Sequence, residues 1–251
     1  MYKNVLHYVA KKNNQEILQL LLSKYHKNKI KKYLFQDCSN LKEISIPSSV
    51  TIIGHHSFYE CSSLESLTMP QSVIKIGNYA FFGCISLSKI KLPDLLESIG
   101  NVAFSECTSL EEIKIPSLVT SIGENAFSGC SSLTKVIIHS SLTSIENYTF
   151  SRCSSLIRVK IPHSVTSIGS NAFNQCTSLK KIKIPSSVTS IGNYTFGRCS
   201  SLEKIKLPKS LASIGGSSFT KCTSLKKIKI PSSTEILGNQ DFPSNCTILK
   251  T

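Results

Sequence analysis

Cysteine and lysine recur along the chain at spacings that could support chemistry. Ten cysteines begin at Cys38 and keep a 23-residue period as far as Cys222, after which Cys246 comes one position late. Thiols at one fixed spacing could form disulfides, hold a metal ion or remain free. Equivalent residues of stacked repeats lie about 4.8 Å apart in the strand-pairing direction, so these cysteines would form one column.

Free thiols are the chemistry that the cysteine spacing favours. Neighbouring cysteines of the column would come within disulfide range, but pairing them would strain a regular stack. The sequence has no Cys-x-x-Cys pair and no histidine near the column at ligand spacing, so no metal site is predicted. We therefore expect a ladder of small buried thiols, which is weak evidence for a reducing compartment.

Lysine dominates two columns of positions that lie five and seven residues after each cysteine. Of these eighteen positions twelve are basic and two are acidic, and from Arg158 onward every one is basic. We predict that these side chains point outward from one face and bind a ligand. The predicted ligand-binding residues are Lys89, Lys91, Lys114, Lys135, Arg158, Lys160, Lys181, Lys183, Lys204, Lys206, Lys227 and Lys229.

Stacked like charges on such a face would favour an acidic partner. Like charges directly opposite each other on neighbouring strands destabilise by up to about 1 kcal/mol per pair, and an anionic ligand would relieve that cost. The alternative, a solvated face copied by repeat duplication, stays open. Nucleic acid is disfavoured because no aromatic side chain is interleaved for base stacking and the chain has only three arginines. The expected partner is an acidic protein or glycan.

Catalysis has no support in the sequence. There is no phosphate-binding glycine loop, no zinc-binding His-Glu-x-x-His and no nucleophile elbow. The one histidine pair, His55-His56, has adjacent side chains that point in different directions. We therefore predict a protein that is not an enzyme and needs no cofactor.

The spacing of phenylalanine indicates the kind of fold that would hold these columns in place. It stands three positions before the cysteine in nine successive copies, from Phe35 to Phe219. A 23-residue period sustained over nine copies is typical of a repeat solenoid, in which each copy buries its apolar face only by stacking on its neighbours.

Residues 176–198 show the grammar of one copy. Leu179, Ile182 and Ile184 follow an L-x-x-I-x-I spacing whose alternating part predicts a strand. Pro185 ends that strand because proline cannot donate to a ladder. Val188 and Ile191 would point inward on the return side, by which we mean the part of each copy that runs back after the strand. Gly192 would permit a tight turn. The grammar predicts one strand per copy.

This pattern resembles the leucine-rich repeat in its 23-residue BspA-like form, over residues 35–251. The resemblance implies a right-handed superhelix with a parallel β-sheet on its concave face. It also implies a surface-antigen or adhesion role, since BspA-like proteins of bacteria and protists commonly bind host or matrix proteins. His139 departs from the pattern where other copies have proline, and Glu146 where they have glycine.

The segment 1–34 differs in kind from the repeats. It predicts two short helices broken at Asn13-Asn14, similar to the helical part of an ankyrin repeat, with Leu6-His7 and Leu20-Leu21-Leu22 carrying the resemblance. One ankyrin unit is not stable alone. We expect a helical N-terminal cap over 1–34 and a solenoid over 35–251, although a remnant of a larger ankyrin array stays open. The residues expected to cover the first coil are Val5, Leu6, Val9, Ile17, Leu18 and Leu21.

Two functional hypotheses remain from the sequence. The first is a non-catalytic adhesion module that binds through the basic concave face, located at the cell surface or secreted as the family resemblance implies. The second is an intracellular scaffold, favoured by the lack of a signal peptide, the free thiols and the ankyrin-like start. The sequence has no apolar run long enough to span a membrane, so membrane insertion is not expected. The identity of the partner and the oligomeric state stay open.

Overall fold

The protein is a parallel β-solenoid of about nine turns that follows two short helices. The computed structural model describes residues 2–25, 28–139, 141–238 and 242–251. The predicted repeat solenoid is confirmed, and the predicted single strand per copy is wrong, because most coils carry two. One strand comes from the L-x-x-I-x-I segment, and the other is a two-residue strand on the return side.

Helices and strands are numbered in chain order. The helices are α1 (Tyr2–Lys11) and α2 (Gln15–Tyr25). The return-side strands are β1 (Lys29–Ile30), β3 (Ile52–Ile53), β5 (Lys75–Ile76), β6 (Ser98–Ile99), β8 (Ser121–Ile122), β10 (Ser144–Ile145), β12 (Ser167–Ile168), β14 (Ser190–Ile191), β16 (Ser213–Ile214) and β18 (Glu235–Ile236). The strands of the other face are β2 (Glu43–Ser45), β4 (Ser66–Thr68), β7 (Glu112–Ile115), β9 (Lys135–Ile138), β11 (Arg158–Val159), β13 (Lys181–Lys183), β15 (Lys204–Lys206), β17 (Lys227–Ile230) and β19 (Thr247–Lys250).

All strand pairs are parallel, and most join positions one repeat apart, as in Ile168↔Ile191. The return-side strands form two sheets of five, β1-β3-β5-β6-β8 and β10-β12-β14-β16-β18. The opposite face is divided into shorter sheets: β2-β4, β7-β9-β11, β13-β15 and β17-β19. The predicted parallel sheet is therefore present, but its hydrogen-bonded ladder is interrupted several times.

A column of stacked phenylalanine rings fills one side of the core. Successive rings from Phe35 to Phe242 have centroids 5.1–5.7 Å apart and interplanar angles of 26° or less. The nine rings from Phe35 to Phe219 are fully buried. Stacking at this distance adds to the free energy gained by removing each ring from water. The ring column fixes the repeat length, because an extra residue before it would displace the next ring.

The cysteines form the predicted column of free thiols. Nine of the ten are buried, and Cys246, which follows the one slip in spacing, is half-buried. Each thiol from Cys61 to Cys222 donates to the carbonyl oxygen of the phenylalanine in the preceding coil, with Sγ–O distances of 3.0–3.2 Å. That carbonyl oxygen also accepts the backbone nitrogen of the cysteine in its own coil, so the thiol adds a second hydrogen bond that links two coils, which a purely apolar side chain could not do.

The recurrent glycine allows close approach between coils. Gly192 directly precedes a turn at 193–198, as predicted, but the turn is not the reason that this position needs glycine. The backbone angle φ at Gly192 is not in the left-handed region. A Cβ atom there would instead lie 2.5 Å from the backbone nitrogen of Ser170 in the preceding coil. The left-handed positions lie elsewhere in each coil and are occupied mainly by larger residues, such as Tyr194 (φ 53°) and Arg198 (φ 60°).

The return-side ladder breaks inside the stack at a coil that lacks this glycine. Glu146 occupies the position, and β8 and β10 on either side of the break are not paired. The hydrogen bond from the Gly169 nitrogen to the Ile145 oxygen (2.8 Å) has no counterpart from Glu146 within the described residues. The opposite face stays bonded through β7-β9-β11. A Cβ atom at this position therefore opens the stack on one side only.

The N-terminal helices pack over the first coil through fewer residues than expected. Leu6, Val9 and Leu18 are buried as predicted, but Val5 and Ile17 are 44% and 45% exposed. The buried positions of α1 and α2 are completed by Ala10 and Leu22. Those side chains lie on the inner helix faces, since residues three and four apart share a face.

At the start of the stack, the side chain of His7 takes the place of the phenylalanine carbonyl as the partner of the Cys38 thiol. Cys38 belongs to the first coil and has no earlier phenylalanine carbonyl to bind. Its Sγ atom lies 3.4 Å from His7 Nδ1 in α1. The break between the helices is as predicted: α1 ends at Lys11, and the side chain of Asn14 accepts a hydrogen bond from the Ile17 nitrogen as an N-cap.

Replacing Gly192 by alanine should lower the free energy of unfolding. The new methyl group would overlap backbone atoms of Ser170, which can move only by separating two coils. Overpacking of this kind typically costs about 1–3 kcal/mol. Urea unfolding followed by circular dichroism would measure the change.

Gly197→Ala is the matched control. A Cβ atom at Gly197 would meet the amide nitrogen of the Asn174 side chain at 2.7 Å, and that side chain can rotate away. The control should therefore cost clearly less than Gly192→Ala. Equal losses at the two glycines would contradict the close-approach role.

Burial makes the thiol column sensitive to alkali. Loss of hydration raises the pKa of the Cys107 thiol from 9.0 to about 12 and raises that of Cys130 well above 9.0. Below pH 9 the thiols are protonated in the folded and unfolded chains, and their contribution to stability is complete. Between pH 9 and about 12 only the unfolded chain loses these protons, so stability falls.

We expect cooperative unfolding not far above pH 9. Each ionising thiol lowers the free energy of unfolding by about 1.4 kcal/mol per pH unit, and nine buried thiols act together. Circular dichroism and the ultraviolet absorbance of thiolate should change together during an alkaline titration. Cys130→Ala should make the pH dependence shallower by about one proton. Thiolate absorbance that rises near pH 9 while the fold persists would contradict the buried column.

Candidate binding face

The basic side chains predicted from the sequence share one surface, which we call the lysine face. It consists of the outward side chains of β2, β4, β7, β9, β11, β13, β15 and β17, together with Lys89, Lys91 and Lys160. The strands alternate between exposed and inward residues, as in β13, where Ile182 is buried between Lys181 and Lys183. All twelve predicted residues are exposed. The structure therefore brings the predicted positions onto one face.

Strand register places like charges directly opposite each other. Lys181 pairs with Lys204, and Lys183 pairs with Lys206, across β13 and β15. Arg158 pairs with Lys135 across β11 and β9. Neighbouring strands are about 4.8 Å apart, a distance at which like charges repel even in water. The basic column carries a standing electrostatic cost.

One member of the face has an acidic partner. Lys135 Nζ lies 3.2 Å from Glu112 Oε1, its register partner in β7. In the part of the chain that the structure describes, none of the other eleven basic residues forms an ion pair. The face thus changes from mixed charge in its early coils to purely basic charge from Arg158 to Lys229. We call this second part the basic half.

The whole solenoid is polarised in the same sense. Residues 35–125 contain 5 basic and 10 acidic residues, whereas residues 126–251 contain 16 basic and 4 acidic residues. The formal net charge of +14 therefore comes from the C-terminal coils and the N-terminal segment. The positive potential of the solenoid is therefore strongest toward its C-terminal end.

A groove of about 910 Å³ runs along β13, β15 and β17 in the basic half. Its lining includes seven lysines and one glutamate, Glu203. The apolar lining residues are Ile182, Ile205 and Leu207. Lys226 also lines the groove, although it lies outside the two predicted columns, four positions after Cys222.

The groove lies where β15 and β17 are not bonded to each other. The described residues show no backbone hydrogen bond between 203–207 and 226–230. Ile205 and Leu207, which the repeat pattern places in the core, are only half-buried here, whereas Ile228 and Ile230 of the next coil are buried. The periodic sequence pattern gives no signal for this gap, because the two coils have the same apolar spacing.

Other kinds of site are not found within the described residues. They contain no group of three histidine, cysteine, aspartate or glutamate side chains placed to hold a metal ion. In the same residues no helix has the length and apolar character that crossing a bilayer requires. His56 stacks on Tyr79 with ring centroids 4.7 Å apart, and burial lowers the pKa of its imidazole. His55 accepts a hydrogen bond from the Asn78 nitrogen. The histidine pair therefore serves packing.

Comparison with known proteins connects this architecture to a family. The model of the BspA type leucine-rich repeat region matches residues 28–157 and 143–251. A leucine-rich repeat protein from Bacteroides ovatus is 30% identical, with 89% of this chain and 78% of that chain covered and a TM-score of 0.49. No curated protein sequence matches the chain.

Two further solved structures are similar in fold or sequence. A leucine-rich cell surface protein from Faecalibacterium prausnitzii is 26% identical, covering 92% of this chain and 81% of that one, with a TM-score of 0.48. The pneumococcal vaccine antigen PcpA is 21% identical, covering 88% of this chain and 67% of that one, with a TM-score of 0.54. The likeness to PcpA shows the fold alone.

Reversing the charge of Lys206 should stabilise the solenoid in low salt. Lys206→Glu replaces the repulsion from Lys183, its register partner, by attraction. The gain should reach up to about 1 kcal/mol in free energy of unfolding and shrink as salt is added. Urea unfolding at low and high ionic strength measures both effects.

Lys250→Glu provides the comparison for this effect. Lys250 is exposed and its register partner is the apolar Ile230, so the same change of charge meets no paired lysine. Its effect on stability should be much smaller. If Lys206→Glu destabilises the protein in low salt, the lysine face carries no repulsive cost.

Proposed function

The chain belongs to the BspA type leucine-rich repeat family, and we propose that it is a non-catalytic interaction module that binds an acidic protein or sulfated glycan through the basic half of its lysine face. Repeat solenoids of this kind present extended surfaces for binding rather than a catalytic pocket. The proposed contacts are Arg158, Lys160, Lys181, Lys183, Lys204, Lys206, Lys227 and Lys229.

The observation that carries this proposal is the lack of acidic partners in the basic half. Eight exposed basic side chains occupy four successive coils, and none of them forms an ion pair within the described residues. A face built only for solubility would mix both signs of charge, because interspersed charges avoid the repulsion seen here. An anionic ligand would remove that repulsion and so gain free energy in addition to its own contacts.

We also propose that the protein works as a surface antigen or adhesion protein. Support comes from the BspA type leucine-rich repeat family to which the chain belongs, since the resemblance to that family implies such a role. Labelling intact cells with a membrane-impermeant reagent tests this placement. Tagging without lysis supports it, and tagging only after lysis contradicts it.

Binding to heparin and to poly-glutamate, as sulfated-glycan and acidic-peptide probes, should weaken steeply with salt. Binding should weaken because added salt screens the attraction between the exposed lysines and the anionic probe; the screening length is about 10 Å at roughly 0.1 M salt. The triple variant Lys183→Glu, Lys206→Glu and Lys229→Glu should abolish binding of both probes. Isothermal titration at two ionic strengths measures these effects, and circular dichroism reports the fold.

The matched control reverses three lysines in the early coils: Lys89, Lys91 and Lys114. It makes the same change in net charge on the same face, so a response to total charge alone would affect both variants equally. We expect the control to retain most of the binding. Equal losses, or binding by the basic-half variant at high salt, would refute the proposed site.

A further inference from the structure

We propose that the groove between β15 and β17 is an anchoring subsite for an extended acidic peptide that carries aliphatic side chains at alternate positions. This inference rests on the proposed function of the lysine face and specifies which acidic partner the basic half selects. Three properties of the groove lead to it: an apolar floor, walls of lysine and a spacing that matches an extended chain.

The floor of the groove is apolar in a region that is otherwise strongly charged. Ile205 and Leu207 are half-buried there and line the groove, which lies where β15 and β17 are not hydrogen-bonded. Burying one leucine or isoleucine side chain is favourable relative to leaving it in water. A sulfated glycan has no aliphatic side chain with which to cover this floor, whereas a peptide has.

Lysine side chains form the walls of the groove and carry their charges at its rim. The ammonium groups of Lys204, Lys206, Lys227 and Lys229 end long aliphatic stems that are anchored on the flanking strands. Such stems cover apolar surface while the charged heads remain in water. A ligand in the groove would therefore meet hydrocarbon at its base and positive charge at its rim.

An extended peptide presents the complementary arrangement. Successive side chains of a strand point to opposite sides, so alternate leucines can contact the floor while the intervening aspartates lie at the rim. Lys204 and Lys206 are themselves alternate residues of one strand, β15. Their spacing therefore equals the repeat of alternate side chains in an extended ligand, because both chains rise by the same distance per residue. A peptide that runs along the strands thus keeps its charges in phase with the lysines.

Three probes distinguish the possible ligands: a peptide of alternating aspartate and leucine, one of alternating aspartate and serine, and heparin. The leucine peptide should bind about tenfold more tightly than the serine peptide, because at least one leucine side chain becomes buried. The double variant Ile205→Thr and Leu207→Gln should remove that advantage and leave heparin binding unchanged. Ile137→Thr, at a half-buried position in β9 on the same face, is the matched control.

The outcomes separate this inference from the proposed function. Equal, salt-sensitive binding of the two peptides would overturn the apolar subsite while leaving an acid-binding face. Binding of heparin alone would likewise overturn it in favour of a glycan. Failure of all three probes to bind would refute the proposed function itself. A tenfold preference that Ile205→Thr with Leu207→Gln abolishes and Ile137→Thr preserves is the expected result.

Discussion

The close superposition of successive coils is the constraint on which the rest of the structure depends. Phenylalanine rings stack from coil to coil, thiols donate to carbonyls of the preceding coil, and a glycine lets the backbones touch on the return side. Each contact requires a neighbour with the same residue at the same place. A coil that deviates loses contacts with a neighbour, as the coil of Glu146 does with the preceding coil, so one repeat length persists over most of the chain.

The same constraint explains why the lysine face is available for binding. Inward positions are occupied by the core, and a coil can vary only where its side chains leave the stack. Lysines at these outward positions recur once per coil, so their charges come into register and cannot be separated by rotating a coil. The repulsion between Lys183 and Lys206 is therefore a consequence of the stack. An acidic ligand can neutralise this repulsion without altering the core.

Much of this architecture can be predicted from the sequence because each structural position is occupied by the same residue type in many successive copies. The columns of Phe173, Cys176 and Lys183 were predictable, since a constant period returns each side chain to the same place in the next coil. The sequence did not show that Gly192 is needed for backbone contact, because a glycine that avoids a clash looks the same as one in a turn. Nor did it show the second strand of each coil, which is too short to produce an alternating pattern.

Other features could not be predicted from the sequence because they depend on structural differences between coils that have the same residue pattern. The gap between β15 and β17, which exposes Ile205 and Leu207, has no counterpart in residue spacing. The ladder break at Glu146 was visible as a substitution, but its effect depends on the close backbone approach that the glycines of neighbouring coils make. The exposure of Val5 and Ile17 follows from how the helices sit on the first coil, which helical periodicity alone does not determine.

Amide hydrogen exchange with and without bound poly-glutamate would map an acidic ligand onto individual coils. If the basic half binds the ligand, exchange becomes slower along β13, β15 and β17, with little change in the return-side strands and in the coils before Glu112. Protection confined to the return side, or spread evenly over all coils, would contradict binding by the basic half.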